Sequence, residues 1–475
     1  MNDEGYPSLI LVAINILPDD VLIDVFDFFI RENPRIQGWI TLAHVCRRWR
    51  TVVFQSPLRL NLQLECTPRI RGRHTLDIWP PLPLIICYNC RTIDGTIFVD
   101  DIIAALEHND RVCIINLHWF SGPEWEYVAN SAAMQKPFPE LTHLLLNADE
   151  DNGSGPILPD TFLGGTAPRL RSLKLINVPF PGLPKLLLSA THLVKLDLHD
   201  IPHSGYIPPE VMATSLSPLA NLTTLRLELL DPPPRRTVGS WRPPPPTRSI
   251  LPSLTHIEFK GTSEYLEEIL ARIDAPRLDI LDIAFFNQLI FNTPQLFQLI
   301  SRRPTLRTPK KGYITFYPHT IHGIFPLQTS EYDRPPGLAL QVICRTSDWQ
   351  LPSFAQVCTS SLPPVSTLED LYIEESRYDL LGWQDDVENT LWLDLLRPFV
   401  PVKNLYLSKE IVPHIAPALQ ELVGARTTEV LPALENIFSE KPTGSIDEGV
   451  ERFVAARRLT SLPVAVSLWD GRHSK

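Results

Sequence analysis

The chain of 475 residues is poor in cysteine, in long apolar runs and in positive charge. Its seven cysteines are too few and too scattered for a disulfide-stapled secreted domain, which favours a reducing compartment. No stretch approaches the roughly 18 consecutive apolar residues of a membrane helix, and the N-terminus carries acids where a signal peptide needs bases. The net charge of −11 argues against nucleic acid or an anionic membrane as main partner. These absences predict a soluble protein of the cytosol or nucleus, or both.

Recognisable catalytic and metal-binding motifs are also missing. The sequence has no G-x-S-x-G, no P-loop and no G-x-G-x-x-G. Cys87 and Cys90 form a lone CxxC, and the pair His199 and His203 lies too far along the chain to complete a zinc-ligand pattern. An acidic stretch that begins at Asp149 departs from a calcium loop at the glycine and glutamate positions. We therefore predict no enzyme activity, no cofactor and no metal site.

Proline is abundant instead, with 47 residues, about twice its usual share. Apolar residues at 44% and charged residues at 20% are sufficient for a globular core. The length corresponds to roughly three domains or to one elongated array. Residues 231–250 (DPPPRRTVGSWRPPPPTRSI) concentrate proline and arginine, which favours an extended solvated loop over the alternative, a ligand for SH3 or WW domains.

Helical patterns fill residues 12–60. Pro18 suits a first helical turn, and the acids that follow it complement the positive end of the helix dipole. A second helix is predicted from about Trp39 to Gln55, where apolar residues recur at helical spacing. So small a unit buries little of its surface. Its apolar stripe therefore either packs on the rest of the chain or docks a partner protein.

Three short motifs in this region resemble the F-box, a small helical module. They are Leu17-Pro18-Asp19-Asp20-Val21-Leu22, then Val25-Phe26, then Val45-Cys46-Arg47-Arg48-Trp49-Arg50. The resemblance implies binding to the Skp-family adaptor of a Skp–cullin–F-box ubiquitin ligase and, through the adaptor, to a cullin. The contacts that it implies are Leu17, Pro18, Leu22, Val25, Phe26, Val45, Cys46 and Trp49. The large residues Leu17, Phe26 and Trp49 are the expected anchors.

Beyond the helical patterns, an apolar-x-x-apolar-x-apolar motif recurs. The motif starts at Val112, Leu141, Leu170, Leu193, Leu222, Leu254, Leu278, Leu368 and Val402. The first seven starts are 23 to 32 residues apart, and such a period is typical of leucine-rich repeats. Each unit would be a strand with a return segment that buries its apolar face only by stacking. A mixed α/β domain with leucine-rich strands by accident is the alternative.

Other segments complete this pattern. Return helices are predicted at residues 99–106, 264–273 and 294–300. Two degenerate copies, at residues 313–316 and 338–343, would divide the long gap before Leu368 into three repeats. One more copy would lie at residues 434–437. A helix over 447–459 and a strand over 464–469 would cap the array.

The array loosely resembles the divergent repeats behind many F-boxes, particularly in the expanded F-box families of fungi. The predicted fold class is a small all-α N-terminal F-box followed by an α/β leucine-rich-repeat-like solenoid. The F-box covers residues 12–60, a connecting segment that starts the array covers 61–110, and the repeat-like domain covers 111–475. That domain includes the Pro-rich loop 231–250 and the C-terminal cap 447–475.

Strand alternation places Leu173 and Leu175 inside and their neighbours on the open side of the array. The open-side residues expected to form a substrate face are Lys174, Lys195, Asp197, Arg226, Glu228, His256, Glu258, Tyr372 and Tyr406, accompanied by His143, Asn147, Thr224, Asp370 and Asn404. The sequence thus favours the substrate-recognition subunit of a ubiquitin ligase complex. One alternative is a scaffold whose F-box binds the adaptor without a role in ubiquitination, and a weaker one is an enzyme with a degenerate site in the array.

Overall fold

A computed structural model describes the following parts of the chain: residues 14–32, 37–67, 76, 78–89, 99–120, 122–148, 157–232, 248–288, 290–326, 337–344, 349–361, 367–376, 388–422, 424–440 and 448–469. The predictions for Cys90, for the acidic stretch from Asp149 and for most of the Pro-rich loop lie outside these residues. Within them, none of the helices has the length and apolar character to cross a membrane.

Three helices form the N-terminal region: α1 (Asp19–Glu32), α2 (Gln37–Val45) and α3 (Arg47–Gln55). The start of α1 agrees with the prediction, because Asp19 and Asp20 occupy its first turn and the Leu22 N–H donates to the Pro18 carbonyl at 3.0 Å. The prediction of one continuous second helix was wrong. At Cys46 the backbone is extended, with φ −158° and ψ 171°, so the chain turns there between α2 and α3.

An aromatic cluster joins the helical region to the rest of the chain. The ring of Trp79 lies 5.2 Å from that of Trp39 and 6.1 Å from that of Phe54. The Trp39 indole N–H also donates to the Gln63 carbonyl at 3.1 Å. The helices and the first strand therefore share one hydrophobic core.

Eighteen strands lie in the described residues. They are β1 (Leu64–Cys66), β2 (Leu84–Asn89), β3 (Val112–Phe120), β4 (His143–Ala148), β5 (Ser172–Ile176), β6 (Lys195–Ile201), β7 (Thr224–Leu229), β8 (Ser249–Ile250), β9 (His256–Gly261), β10 (Ile273–Asp274), β11 (Ile280–Phe286), β12 (Lys311–Tyr317), β13 (Thr320–Pro326), β14 (Gly337–Ile343), β15 (Asp370–Glu375), β16 (Asn404–Leu407), β17 (Asn436–Glu440) and β18 (Ala465–Trp469). Sixteen of them form one sheet in the order β1-β2-β3-β4-β5-β6-β7-β9-β11-β14-β13-β12-β15-β16-β17-β18. Neighbours are parallel except where β13 pairs with β12 and with β14.

Helices connect many of these strands. They are α4 (Val99–Leu106), α5 (Gly122–Ala129), α6 (Leu183–Ser189), α7 (Pro209–Leu216), α8 (Ser263–Leu270), α9 (Pro294–Arg302), α10 (Pro304–Arg307), α11 (Gln350–Ser361), α12 (Asn389–Leu396), α13 (Val412–Gln420) and α14 (Glu448–Leu459). Leucines at alternate strand positions are buried, as predicted for Leu173 and Leu175, which are 1% and 3% exposed. The residues between them stay partly exposed, so the sheet has a buried face and a polar face, here called the open face.

The nine predicted copies each contain a strand, but the long gap before Leu368 does not hold three successive parallel repeats. The segments 313–316 and 338–343 do lie in strands, β12 and β14, yet their order in the sheet is inverted. Only Pro318 and His319 separate β12 from β13. So short a turn makes the two strands antiparallel, and β14 then returns beside β11.

Two predicted element ends differ from the structure, and the predicted C-terminal elements agree with it. The helix predicted over 264–273 ends at Leu270, because Ile273 and Asp274 pair with Ser249 and Ile250 in a small parallel sheet. The Pro-rich segment therefore ends in a strand rather than remaining a loop to residue 250. At the C-terminus, α14 and β18 lie where a helix and a strand were predicted.

Candidate functional site

Helix α1 carries two apolar stripes, displaced by one residue. Val21, Val25 and Phe28 recur at i, i+4 and i+7, the spacing of one helix face, and are 39%, 41% and 68% exposed. We call these three residues the outer stripe. Leu22 and Phe26 form an inner stripe and are fully buried. The helix thus presents one apolar face to the interior and leaves another in solvent.

The inner stripe holds the helical region together. The Phe26 ring packs on Trp49 of α3, with the ring centroids 4.8 Å apart. Leu22 and Phe26 were expected among the adaptor contacts, and Phe26 was expected to be an anchor. Since both are 0% exposed in the free chain, the structure makes them packing residues. The sequence pattern alone could not separate these two roles.

The other predicted adaptor contacts are accessible to different degrees. Pro18, Val45 and Cys46 are exposed, whereas Leu17 and Trp49 are half-buried. Arg48 of α3 links this helix to the start of α1. Its guanidinium donates to the Leu17 carbonyl and pairs with Asp19 at 2.7 Å. The α2–α3 junction thus lies beside the start of α1.

Sequence reasoning missed several exposed apolar residues in this region, three of which lie at or near the start and along the outside of α1. Ile16, which precedes α1, is 75% exposed, and Val21 and Phe28 belong to the outer stripe. The helical spacing between Val21, Val25 and Phe28 was the available signal. It was overlooked because the sequence reading recognised a single apolar stripe in this helix and left Phe28 out of it.

The open face carries a network of charges over β5, β6, β7 and β9. We call it the charged network; its members are Lys174, Asp197, His199, Asp200, Arg226, Glu228, Glu258 and Lys260. Lys174 pairs with Asp197 at 3.0 Å, and Arg226 pairs with Glu258 at 3.0 Å. The four residues Lys174, Asp197, Arg226 and Glu258 occupy the same register position in adjacent strands. Charges of opposite sign therefore alternate across these four strands and form ion pairs with one another.

Glu228 lies at the most buried point of the charged network, at 8% exposure. It accepts hydrogen bonds from Arg226 at 2.6 Å and from His199 at 2.8 Å. Burial alone would raise the pKa of Glu228, but the hydrogen bonds and charges of His199 and Arg226 outweigh burial and lower it. Glu228 is therefore held as a carboxylate.

His199, Asp200 and Glu228 also bring possible metal-ligand atoms within 4.8 Å of one another. Asp200 follows His199 at an irregularity of β6 and has a φ of 48°. Both carboxylates already have cationic partners, since Lys260 pairs with Asp200 at 3.1 Å and Arg226 with Glu228. A metal ion would have to compete with the side chains of Lys260 and Arg226. The geometry is therefore that of an ion-pair network.

On the other half of the open face, aromatic rings replace the charges. Tyr313, Tyr372, Tyr406 and Phe438 occupy one register position in β12, β15, β16 and β17. Successive ring centroids are 4.8, 4.1 and 4.5 Å apart, with interplanar angles of 15°, 10° and 9°. Trp469 lies against Tyr372 and Tyr406, at 5.8 and 5.4 Å. We call these five residues the aromatic ladder.

The predicted substrate face divides by exposure. Lys195 is exposed, and Lys174, Asp197, Arg226, His256, Glu258 and Tyr406 are partly exposed, which agrees with the predicted alternation. Glu228 and Tyr372 are buried, at 8% and 6% exposure. The first is enclosed by its ion pairs and the second by neighbouring rings, and burial raises the pKa of Tyr372. Of the accompanying residues, His143 is exposed, Thr224, Asp370 and Asn404 are partly exposed and Asn147 is buried.

The other three members of the aromatic ladder, Tyr313, Phe438 and Trp469, were missed. Tyr313 lies in a strand read as a degenerate copy, and Phe438 and Trp469 lie in the last two strands of the sheet. Only the strand pairing shows that they share a face with Tyr372 and Tyr406.

Comparison with known proteins identifies the helical region. The family model of the F-box domain matches residues 14–61. The chain therefore contains an F-box domain, as its motifs indicated, and F-box domains bind Skp-family adaptors of Skp–cullin–F-box-type ubiquitin ligases. The match ends at residue 61, so it does not confirm leucine-rich repeats in the sheet region. A search of curated proteins finds no match, so the resemblance to fungal F-box proteins has no relative to support it.

Proposed function

We propose that the chain is the substrate-recognition subunit of a Skp–cullin–F-box ubiquitin ligase. The F-box domain binds the Skp-family adaptor, and the open face of the sheet binds a protein substrate. The chain performs no chemistry of its own. It holds the substrate close to a ubiquitin-loaded enzyme supplied by the complex, so its contribution is proximity.

The outer stripe is the observation that carries the adaptor half of this proposal. Val21, Val25 and Phe28 expose apolar surface within the segment that matches the F-box domain. Burying one such side chain against a partner stabilises the complex by about 1.5–3 kcal/mol. The proposed contact surface also includes Leu17, Pro18, Val45 and Cys46. Trp49, which is half-buried, contributes its exposed part to this surface.

The sheet region supports the substrate half. Parallel strands with buried leucines at alternate positions suit a leucine-rich-repeat-like solenoid, capped at its end by α14 and β18. The cluster of Trp39, Phe54 and Trp79 packs the F-box helices against the first strands. Such packing suits a receptor, because a fixed orientation between adaptor and substrate favours transfer by proximity.

The adaptor half is tested by removing the outer stripe alone. The variant Val21→Ser/Val25→Ser/Phe28→Ser is co-expressed with a Skp-family adaptor and compared with wild type by size-exclusion chromatography. We expect a one-to-one complex for wild type and none for the variant, with an unchanged thermal melting transition. The control, Leu188→Ser/Ile250→Ser/Val400→Ser, removes three exposed apolar residues elsewhere and should leave the complex intact. A complex that survives the outer-stripe variant would contradict the proposal.

The ligase role needs a second measurement. Affinity capture of the tagged chain should recover a cullin together with the adaptor, and deletion of the chain should stabilise at least one protein that the chain also captures. Adaptor without cullin would favour the scaffold alternative. Turnover by the purified chain would favour the enzyme alternative.

A further inference from the structure

We propose that a cleft at the start of the first four strands binds a free α-amino acid with an apolar side chain. None of the residues that line this cleft lies within residues 14–61, the segment that matches the F-box domain. The site is therefore independent of the proposed function, and its ligand is a small molecule rather than a protein.

The cleft has a volume of about 430 Å³, which is within the usual range of small-molecule sites. Gln63, Pro83, Arg111 and Thr142 directly precede β1, β2, β3 and β4, and all four residues line it. Every lining residue belongs to the described parts of the chain. The cleft therefore lies along the edge of the sheet where these parallel strands begin.

A bulge in β3 lies at this edge. Leu84 and Ile85 are consecutive in β2, but their partners in β3 are Val112 and Ile114, so Cys113 is an extra residue. A bulge bends its strand and redirects side chains, and such irregularities are common beside functional sites. Both Cys113 and Ile114 line the cleft.

The cleft contains a cation and an anion that the fold does not use. Within the described residues, the side chains of Arg111 and Asp110 form no hydrogen bond or ion pair. Arg111 is half-buried and Asp110 is exposed. Glu140, the other carboxylate of the cleft, differs because it pairs with Arg169. One charge of each sign thus remains open, and the complement of this pair is a ligand that carries both charges.

Hydrogen bonds fix the turn that carries the two open charges. The Asn109 side-chain amide donates to the Pro137 carbonyl at 2.6 Å. The Arg111 N–H donates to the His108 carbonyl at 3.1 Å, and the Arg111 carbonyl accepts from the Leu84 N–H at 2.8 Å. Both charged side chains therefore project from a backbone that is already ordered, which lowers the entropic cost of binding.

His143 adds a hydrogen-bond acceptor. The Thr142 hydroxyl donates its single hydrogen to the Cys113 carbonyl at 2.9 Å, so in its 2.8 Å contact with His143 the hydroxyl oxygen accepts from Nδ1–H. Burial and the positive charges of Arg171 and Lys195 lower the pKa of His143, so the ring is neutral at pH 7. Its Nε2 then carries no proton and can accept a hydrogen bond from an ammonium group.

A free α-amino acid matches this set of groups. Its carboxylate would form charge-assisted hydrogen bonds with the Arg111 guanidinium, and its ammonium would donate to Asp110 and His143. An apolar side chain would lie against Pro83 and Ile114, which form the apolar part of the cleft. In a peptide the same two backbone groups are uncharged amides, so only the free amino acid presents both charges side by side.

The test is isothermal titration calorimetry of the full-length chain with L-leucine, L-isoleucine, L-valine, L-methionine and L-phenylalanine. We expect saturable one-to-one binding of at least one of them. The analogues of that amino acid that lack either the ammonium or the carboxylate should bind about tenfold more weakly or worse, because each loses a charged hydrogen-bonding group. For leucine these analogues are 4-methylpentanoate and 3-methylbutylamine. Binding of none of the five amino acids, or equal binding of an analogue, would overturn the proposal.

Variants separate the cleft from general charge effects. Arg111→Gln and Asp110→Asn should each weaken binding about tenfold or more. Arg277→Gln/Asp279→Asn is the matched control, because Arg277 precedes Leu278 of its repeat as Arg111 precedes Val112. This control lies six strands away, well beyond the screening length of about 8–10 Å, and should change affinity less than about twofold. An equal loss in the control would contradict the proposed site. Melting transitions confirm that every variant is folded.

Cys113 reports where the amino acid binds, because it is a free, half-buried cysteine of the cleft. Cysteines are alkylated with and without the bound amino acid, and the products are quantified by mass spectrometry. Binding should slow the alkylation of Cys113 in proportion to the occupied fraction. It should not affect Cys46, which is exposed in the F-box domain. Binding without protection of Cys113, or equal protection of both cysteines, would overturn the proposal.

Discussion

The outer stripe of α1 and the charged network of the sheet are both surface features, yet they are satisfied in different ways. Much of the apolar surface of Val21, Val25 and Phe28 remains exposed to solvent. In the charged network, Arg226 pairs with Glu228 and Glu258 of the same chain. Exposed apolar surface is stabilised by a partner, whereas paired charges contribute to the fold. Changes to the two features should therefore affect different measurements.

The largest expected difference lies between two phenylalanines of α1. Phe26→Ala creates a cavity beside Trp49 and should lower the free energy of unfolding by about 3–5 kcal/mol. Phe28→Ala, on the exposed side of the same helix, should change it by less than about 0.5 kcal/mol and instead weaken adaptor binding. Urea denaturation of the free chain measures the first effect and titration with the adaptor the second. Equal destabilisation by both variants would contradict the division into inner and outer stripes.

A smaller effect is expected in the charged network. Arg226→Ala removes cationic partners from Glu228 and Glu258 and should cost about 1–3 kcal/mol in the free energy of unfolding. Arg169→Ala is the matched control, because within the described part of the chain Arg169 pairs with Glu140 alone and its side chain is 61% exposed. Such surface pairs contribute about 0–1 kcal/mol. If both variants lose the same stability, the charged network is not a structural element.

The smallest effect concerns pH. The pKa of Glu228 in the folded chain is below its usual value of 4.5, so its ion pairs stabilise the fold above that pH. This contribution is lost as pH falls through the lowered pKa, because the folded state must then take up a proton that the unfolded state already holds. Wild type and Glu228→Gln should therefore differ in free energy of unfolding by a constant amount at neutral pH, and the difference should shrink below about pH 4.5. A difference that does not change down to pH 3 would contradict this assignment.

Much of the local structure could be predicted, because its signals lie within a few residues. The motif from Leu17 to Leu22 predicted the start of α1, and the leucine spacing predicted strands such as β5 and β6 together with their buried side. The break at Cys46 could not be predicted, since both α2 and α3 continue one apolar period. The inverted order of β12, β13 and β14 could not be predicted either, because it depends on pairing between strands that are far apart in the chain.

The candidate sites show the same limit. Leu22 and Val25 both belong to the F-box pattern, but only packing against α3 separates a buried residue from an accessible one. Tyr372 and Tyr406 were expected on the open face. Their ring contacts with Tyr313, Phe438 and Trp469 follow from a sheet order that no single strand encodes.

By itself, the sequence determined the F-box motif, the alternating strands and the excess of negative charge, because composition and periodicity are local properties of the chain. Only the tertiary structure decided which apolar stripe of α1 is exposed, which charges neutralise one another and which rings stack. Burial and pairing depend on residues far apart in the chain, such as Phe26 with Trp49 and Tyr372 with Trp469. These residues come into contact only when the helices pack together and the strands pair in the sheet.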